Sequence, residues 1–130
     1  MKKAAGCVIV KDDSILLLHR IDKDWLELPG GKAEPNESLD ITAVREFKEE
    51  LGASVVIKRK LGNTIFRSIE FELDYSWFLG ELENEKDLRI GEPVSFDWFK
   101  YIPITDLRKY NLSTNMQNLI NDIEKKKIVL

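Results

Sequence analysis

The chain has few of the residues and segments on which several large protein classes depend. Its 130 residues include one cysteine, Cys7, so no internal disulfide can form, and a single thiol suits a reducing cytosol. One histidine, His19, argues against a Ser-His-Asp triad and against metal ligation by histidines. No apolar stretch approaches the roughly 20 residues of a membrane span, and no signal peptide is visible. We therefore expect a cytoplasmic protein with no membrane partner.

The charge of the chain limits its partners further. There are 20 Lys and Arg residues against 23 Asp and Glu, which gives a net charge of −3, and no long basic run occurs. Binding to duplex DNA relies on many contacts between basic side chains and phosphates, so we expect no DNA duplex as partner. The length and a hydrophobic content of 43% fit one domain over residues 1–130 with its own core.

Apolar periodicity and turn residues predict an α/β protein. Strands are predicted at residues 4–10, 15–18, 25–28, 54–60, 64–70, 71–82 and 94–99, and the first two form a hairpin. A glycine loop is predicted at residues 29–31, and helices at residues 37–51, 103–107 and 115–127. Because helices follow strands both in mid-chain and at the end, we expect a mixed β-sheet with helices on both faces.

Three carboxylates are clustered on the middle helix. This helix is predicted to begin after an N-cap at Asn36 and to end before Gly52. At about 100° per residue, Glu46, Glu49 and Glu50 fall beside the apolar stripe that packs on the sheet. Three neighbouring like charges repel unless a cation lies among them. We therefore predict a hard divalent cation with oxygen ligands, Mg²⁺ or Mn²⁺.

The segment around these carboxylates resembles the signature of the Nudix hydrolases. That signature is a Gly, five residues, a Glu, seven residues, and then Arg-Glu-apolar-any-Glu-Glu-any-Gly-apolar. The matching positions within residues 31–53 are Gly31, Glu37, Arg45, Glu46, Glu49, Glu50 and Gly52. Phe47 and Ala53 stand where aliphatic residues are usual, but these are packing positions, so the chemistry is unaffected.

The resemblance implies a Nudix fold, an α/β/α sandwich with a mixed β-sheet, and a metal-dependent active site. By the family's pattern, Glu46, Glu49 and Glu50 bind the metal, and the carbonyl of Gly30 is a further ligand. Glu46 also lies near the position where the attacking water would be oriented. An ordinary solvated acidic helix face is the alternative, and a bare E-x-x-E-E would favour it.

Further residues are assigned by the same resemblance. Arg45 and Glu37 are expected to hold the carboxylates in place through fork-shaped hydrogen bonds, so that catalysis depends on them as well as on Glu46 and Glu49. Some family members recruit a general base from a distant loop. The preferred candidates here are Glu92 and Asp97, ahead of Glu81, Glu83 and Glu85.

Substrate contacts are expected from residues that flank the signature. Arg20 ends a predicted strand where basic residues are common in the family, so it is a candidate for a substrate phosphate, with a surface role as the alternative. Trp25 and Trp98 are the first choices for stacking on a base, with core packing as the alternative for each. Amides between Asn111 and Asn118 are able to read a base edge, although helix capping explains some of them.

The predicted function is Mg²⁺-dependent hydrolysis of a pyrophosphate bond in a nucleoside diphosphate linked to another group. A (d)NTP, intact or damaged, or another small nucleotide derivative is the expected substrate. Subfamilies acting on ADP-ribose or dinucleoside polyphosphates often carry a Pro or Tyr shortly after the signature; residues 68–70 are Ser-Ile-Glu, which disfavours both.

Three alternatives and a possible homodimer stay open. The first is a non-catalytic nucleotide-sensing module, although no signature carboxylate is lost. The second is an RNA 5′-end pyrophosphohydrolase, for which Lys58, Arg59, Lys60 and Arg67 are the only basic hint. The third is the diphosphate-isomerase branch of the fold, against which the single histidine argues.

Overall fold

The computed structural model describes residues 1–67 and 69–130, in which seven strands form a sheet and two α-helices pack against it. The strands are β1 (Lys2–Lys11), β2 (Ser14–Arg20), β3 (Trp25–Glu27), β4 (Gly30–Lys32), β5 (Val55–Arg67), β6 (Glu72–Leu82) and β7 (Phe96–Pro103). The helices are α1 (Leu39–Leu51) and α2 (Thr114–Glu124), and short 3₁₀ turns cover Glu85–Asp87 and Ile104–Lys109. No helix among the described residues is long and apolar enough to cross a membrane.

The described strands form one mixed sheet with β1 at its centre. The order is β3-β2-β1-β6-β5, with β4 added beside β1 and β7 beside β2. β1 and β6 run parallel, from the pair Lys2 and Leu73 to the pair Ile9 and Gly80, whereas the other pairs are antiparallel. The predicted hairpin of β1 and β2 is confirmed, with Val10 opposite Ile15.

Each face of the sheet is covered by one helix. Alternate residues of β1 point to opposite faces: Ala4 and Val8 join the core under α2, while Ala5, Cys7 and Ile9 join the core under α1. The helices contribute the apolar stripes expected of amphipathic helices, namely Ala43, Phe47 and Leu51 from α1 and Met116, Leu119 and Ile120 from α2. The predicted α/β/α sandwich is therefore confirmed, and Cys7 is buried within it.

The two strands predicted at residues 54–60 and 64–70 are wrong as separate elements. A single strand, β5, pairs with β6 from Val55 to Arg67 and absorbs two register shifts, one between Ile57 and Arg59 and one after Lys60. A bulge adds a residue without ending a strand, so the polar interruption resembled a turn in the sequence. The predicted strand 64–70 also included Ser68, which lies outside the described residues.

Other predicted boundaries move by a few residues. α1 begins at Leu39 with Ser38 as N-cap rather than at residue 37, because Asn36 has a left-handed backbone (φ 63°) and belongs to the preceding turn. The last strand is Phe96–Pro103 rather than 94–99, and its start follows the turn closed by the Glu92 carbonyl. The final helix covers Thr114–Glu124 instead of 115–127, with the Ser113 side chain as its N-cap.

Candidate active site

Arg45 lies at the centre of a network of carboxylates on α1. Its Nε donates to Glu37 Oε2 at 2.7 Å and its Nη2 to Glu37 Oε1 at 2.9 Å, a fork-shaped pair. Its Nη1 donates to Glu46 Oε1 at 2.9 Å and to Glu49 Oε1 at 3.2 Å. The bonds from Arg45 and then from Thr42 lower the pKa of Glu37 to about 2. One guanidinium therefore fixes three of the signature carboxylates.

Glu50 is a buried carboxylate with little positive charge near it. It is only 3% exposed, and the backbone N–H of Gly30 donates to its Oε1 at 2.7 Å. Burial raises the pKa of Glu50 to about 9, and the negative charge of Glu46 adds to the rise. Burial likewise raises the pKa of Glu46, although Arg45 opposes the shift. A cation beside Glu46 and Glu50 would stabilise the ionised form of both carboxylates.

The predicted glycine loop at residues 29–31 is wrong, because Gly30 and Gly31 belong to strand β4, opposite Gly6 and Ala5 of β1. Neither glycine has a positive φ; among the described glycines only Gly52 does. The reason for glycine is close approach. A Cβ on Gly31 would lie 2.6 Å from the carboxyl carbon of Glu46, and a Cβ on Gly30 would lie 2.2 Å from the Tyr75 hydroxyl.

The carboxylates fit a divalent cation by their chemistry. Carboxylate and carbonyl oxygens are the ligands that Mg²⁺ and Mn²⁺ prefer, and the buried Glu50 is short of positive charge. In the part of the chain that the structure describes, no three acidic, His or Cys side chains converge closely enough to hold an ion. Arg45 bonds Glu46 and Glu49, whereas Glu50 turns to Gly30, so the side chains engage each other instead.

A cleft of about 420 Å³ opens beside this network, and Gly30, Gly31 and Lys32 form the border between the two. Its lining is largely apolar and aromatic. The remaining lining residues are Ala4, Arg20, Trp25, Glu27, Leu28, Phe66, Phe71, Leu73, Tyr75, Ser113, Thr114 and Asn115. Such a cleft, with a few polar groups, is typical of a small-molecule site.

Arg20 and Trp25 both reach this cleft, and Glu27 holds them. Glu27 accepts a fork-shaped pair of bonds from Arg20, at 2.5 Å and 2.9 Å, and a further bond from Trp25 Nε1 at 2.7 Å. The guanidinium of Arg20 also lies over the Phe96 ring, 4.7 Å from its centroid. Arg20 is therefore already paired with a carboxylate at the position where a substrate phosphate was predicted to bind.

Trp98 and Asp97 lie away from the cleft. Trp98 is opposite His19 in the β2–β7 pair, and the two rings stack in parallel with centroids 5.0 Å apart. The Asp97 carboxylate is hydrogen-bonded to His19 Nδ1 at 2.6 Å, and Asp24 to Nε2 at 2.8 Å; both bonds raise the pKa of His19. Trp98 borders a separate depression of about 190 Å³, which meets the cleft at Trp25.

The loop that carries Glu92 is fastened to the C-terminal end of α1. The N–H of Arg89 donates to the Leu51 carbonyl at 2.9 Å, and that of Gly91 to the Glu50 carbonyl at 2.8 Å. Gly91 packs so closely that a Cβ there would lie 2.2 Å from the Glu49 carbonyl oxygen. Glu92 is near enough for its charge to contribute to the raised pKa of both Glu46 and Glu50, after burial.

Sequence reasoning missed three polar contributors to this region. Glu27 was overlooked although a charged residue between Leu26 and Leu28 was a visible signal. Tyr75 was not singled out by the sequence, and its hydroxyl packs against Gly30. Asn115 was covered only by the general mention of amides; its Oδ1 accepts a bond from Trp77 Nε1 at 2.7 Å.

Comparison with known proteins agrees with the geometry. The family model described as the NUDIX domain matches residues 1–123, so the chain belongs to the Nudix family. The 8-oxo-dGTP diphosphatase of Buchnera aphidicola subsp. Schizaphis graminum is 26% identical over 122 residues, which cover 91% of this chain and 89% of that protein. The ADP-ribose pyrophosphatase of Methanocaldococcus jannaschii is 40% identical over 62 residues, 45% of this chain and 37% of that protein.

The structural comparison gives the same fold. The crystal structure of a MutT NUDIX hydrolase from Burkholderia pseudomallei superposes with a TM-score of 0.84 at 22% identity, and covers 94% of this chain and 97% of that one. The chain spans 35% and 62% of the length of two Bacillus subtilis relatives that it matches. Members of the family generally use divalent metal ions, which agrees with the oxygen-rich network around Arg45.

Proposed function

We propose that this protein hydrolyses a pyrophosphate bond in a nucleoside diphosphate linked to another group, with a divalent cation as cofactor. The observation that carries this proposal is the border formed by Gly30 and Gly31. These two residues line the aromatic cleft and at the same time contact Glu50 and Glu46. A nucleotide lying in the cleft would therefore present its phosphates to the carboxylates.

The cation would be held by Glu46, Glu49, Glu50 and the carbonyl of Gly30, with Mg²⁺ as the first choice and Mn²⁺ as the second. When bound, such an ion neutralises phosphate charge and lowers the pKa of a bound water. Arg45 and Glu37 act as positioning residues, because Arg45 holds Glu46 and Glu49 while Glu37 holds Arg45. Glu46 would orient the attacking water, and a carboxylate from a loop would take its proton.

Of the two loop candidates for a general base, Glu92 is the better one. Its charge acts on Glu46 and Glu50, and its loop is fastened to α1 through backbone hydrogen bonds. Asp97 is already hydrogen-bonded to His19, and it lies on β7 directly before Trp98, away from the cleft. A Glu92→Gln variant should therefore lower turnover more than an Asp97→Asn variant.

The proposed substrate is a purine nucleoside triphosphate with a 6-oxo group, such as an oxidised or intact dGTP. Trp77 Nε1 can only donate, so its bond to Asn115 Oδ1 turns the Asn115 amide nitrogen to the other side, from which it would donate to the Tyr75 hydroxyl. The second amide hydrogen is then available to an acceptor in the cleft, such as the 6-oxygen of guanine. An adenine would present an amino group there, which cannot accept it.

The comparison with the Buchnera 8-oxo-dGTP diphosphatase, which extends over most of both chains, supports the same choice. The RNA 5′-end alternative finds less support. Of the basic residues that suggested it, Lys58 pairs with Glu81 at 3.3 Å, Arg67 pairs with Glu72 at 3.6 Å, and Arg59 donates to the Val129 carbonyl. None of these residues lines the cleft.

The test is a product-release screen with Mg²⁺ over 8-oxo-dGTP, the four dNTPs, ADP-ribose, NADH, dinucleoside polyphosphates and triphosphorylated RNA. The variant is Glu46→Gln, and the matched control is Glu124→Gln, which changes an exposed carboxylate that is paired with Arg108 at the end of α2 and does not line the cleft. We expect turnover of 6-oxopurine triphosphates that falls more than about a hundredfold in the variant and is unchanged in the control. Turnover that survives Glu46→Gln, or none on any compound, would contradict the proposal.

A further inference from the structure

The hydroxyl of Tyr75 occupies a slot between two glycines of neighbouring strands. A Cβ built on Gly6 would lie 2.0 Å from this oxygen, and one built on Gly30 would lie 2.2 Å from it. Gly6 and Gly30 are direct partners in the β1–β4 pair, so the slot is formed where two facing residues have no side chain. Because neither glycine has a positive φ, close approach and not backbone conformation explains both of them; at Gly30 the Ala5 carbonyl oxygen, 2.5 Å from such a Cβ, excludes a side chain together with the hydroxyl.

The hydroxyl of Tyr75 is connected to the cleft through Asn115. Its hydroxyl is hydrogen-bonded to Asn115, and Asn115 is fixed by Trp77 at 2.7 Å. Asn115 lies in the first turn of α2 and lines the cleft together with Ser113 and Thr114. A ligand that engages the Asn115 amide therefore acts directly on the partner of the Tyr75 hydroxyl.

The same hydroxyl also connects Tyr75 to the carboxylates. The hydroxyl packs against Gly30, and the N–H of Gly30 donates to Glu50 at 2.7 Å. Protein interiors are packed as densely as organic crystals, so an atom this close cannot move without moving its neighbour. The contacts run without a gap from Asn115 through Tyr75 and Gly30 to Glu50.

We propose that Tyr75 is a positioning residue that couples occupation of the cleft at Asn115 to binding of the divalent cation at Glu50. Its hydroxyl sets the position of the Gly30 backbone, which holds Glu50 through the N–H and offers its carbonyl to the cation. This proposal rests on the proposed function, because it takes the cleft as the purine site. Coupling of this kind is reciprocal, so base binding and metal binding should strengthen each other by the same factor.

The test compares Tyr75→Phe with Tyr101→Phe, a matched loss of one hydroxyl that is bonded to Glu85 outside the cleft. Mn²⁺ affinity is measured by titration calorimetry with and without deoxyguanosine, which has no phosphate and cannot reach the metal by itself. In the wild type and in Tyr101→Phe we expect deoxyguanosine to tighten Mn²⁺ binding about fivefold or more. In Tyr75→Phe we expect this factor to fall to about one, and Mn²⁺ alone to bind about tenfold more weakly.

A second measurement needs neither metal nor ligand. Hydrogen exchange of the Gly30 amide should be at least about tenfold faster in Tyr75→Phe than in Tyr101→Phe, because the Gly30 N–H bond to Glu50 loses its support. Loss of thermal stability with an unchanged coupling factor and unchanged Gly30 exchange would overturn the proposal and leave a packing role. Absence of deoxyguanosine binding to the wild type would overturn the coupling and the purine assignment, whereas hydrolysis is decided separately by the substrate screen.

Discussion

Replacing Glu50 with glutamine should stabilise the metal-free protein and remove its stabilisation by divalent cations. Burial raises the pKa of Glu50 from 4.5 to about 9 in the folded protein. Between these two values the folded state keeps a proton that the unfolded state releases. The free energy of unfolding must therefore fall as the pH rises through this window, by at most about 1.4 kcal/mol per pH unit.

The magnitude follows from the same shift. A pH of 7.5 is about three units above the pKa of the Glu50 carboxyl in the unfolded chain. Keeping Glu50 protonated in the folded protein therefore costs up to about 4 kcal/mol. A glutamine has no proton to lose, and its oxygen can still accept the Gly30 N–H. Its amide nitrogen takes the place of an oxygen in a 3% exposed position, which offsets part of the gain. We expect a net stabilisation of about 1–3 kcal/mol at pH 7.5.

The assay is urea denaturation at pH 5.5, 7.0 and 8.5, in a chelator and in millimolar Mg²⁺. In the chelator the wild type should lose stability as the pH rises, whereas Glu50→Gln should not. In Mg²⁺ the wild type should recover stability in proportion to its metal affinity, and the variant should gain little. Glu49→Gln is the control in the chelator, where it should follow the wild type because the Glu49 side chain is 46% exposed; as a proposed cation ligand it is not a control in Mg²⁺. A wild type whose stability in chelator is flat from pH 5.5 to 8.5 would refute the reasoning.

Three further changes test the site and its surroundings. Gly31→Ala would place a Cβ 2.6 Å from the Glu46 carboxyl carbon, so kcat should fall about a hundredfold with an unchanged circular dichroism spectrum; full activity would contradict the role of Gly31. Arg45→Lys keeps the charge but loses the fork to Glu37, so steady-state kinetics should show kcat about 10 to 100 times lower, and an unaffected kcat would argue against positioning. His19 has a folded-state pKa above its unfolded value of 6.5, so its contribution to stability is full below that pH and is lost as the pH rises through the folded pKa. Thermal denaturation of His19→Gln should therefore show a larger loss of stability at pH 5.5 than at pH 9, and an equal loss at both would contradict this.

The parts of the fold that follow from local pattern were predictable from the sequence. The continuous apolar run of residues 4–10 predicted β1, and the helical spacing of Ala43, Phe47 and Leu51 predicted the face on which α1 packs. The resemblance to the Nudix signature also implied that Arg45 holds carboxylates. Of its partners, Glu49 is four positions away on the same helix, whereas Glu46 is its neighbour in sequence and Glu37 precedes the helix.

The parts that depend on contacts between distant segments were not predictable. Gly30 resembled a turn residue in the sequence. In the structure a side chain there would collide with the hydroxyl of Tyr75, 45 positions later in the chain, and with the backbone of β1. Trp98 was expected to flank the site and stack on a base, yet its position opposite β2 directs it to His19. The choice of general base, the single-domain boundaries and a homodimer stay predictions, because each depends on groups or partners beyond one segment.

The central position of β1 has a consequence for how the chain reaches its native state. β1 is the first strand in the sequence, but its parallel partner β6 lies about 70 residues later, from Leu73 to Gly80. Closing so long a loop before any contact stabilises it slows folding. During synthesis only the end of β1 at Val10 and Lys11 can pair early, with β2, and the rest of the strand stays unpaired until β4 and then β6 emerge from the ribosome. The part of β1 that stays unpaired for the longest time is the apolar run Cys7, Val8 and Ile9. We therefore expect the nascent chain to depend on rapid collapse or chaperone binding at this run.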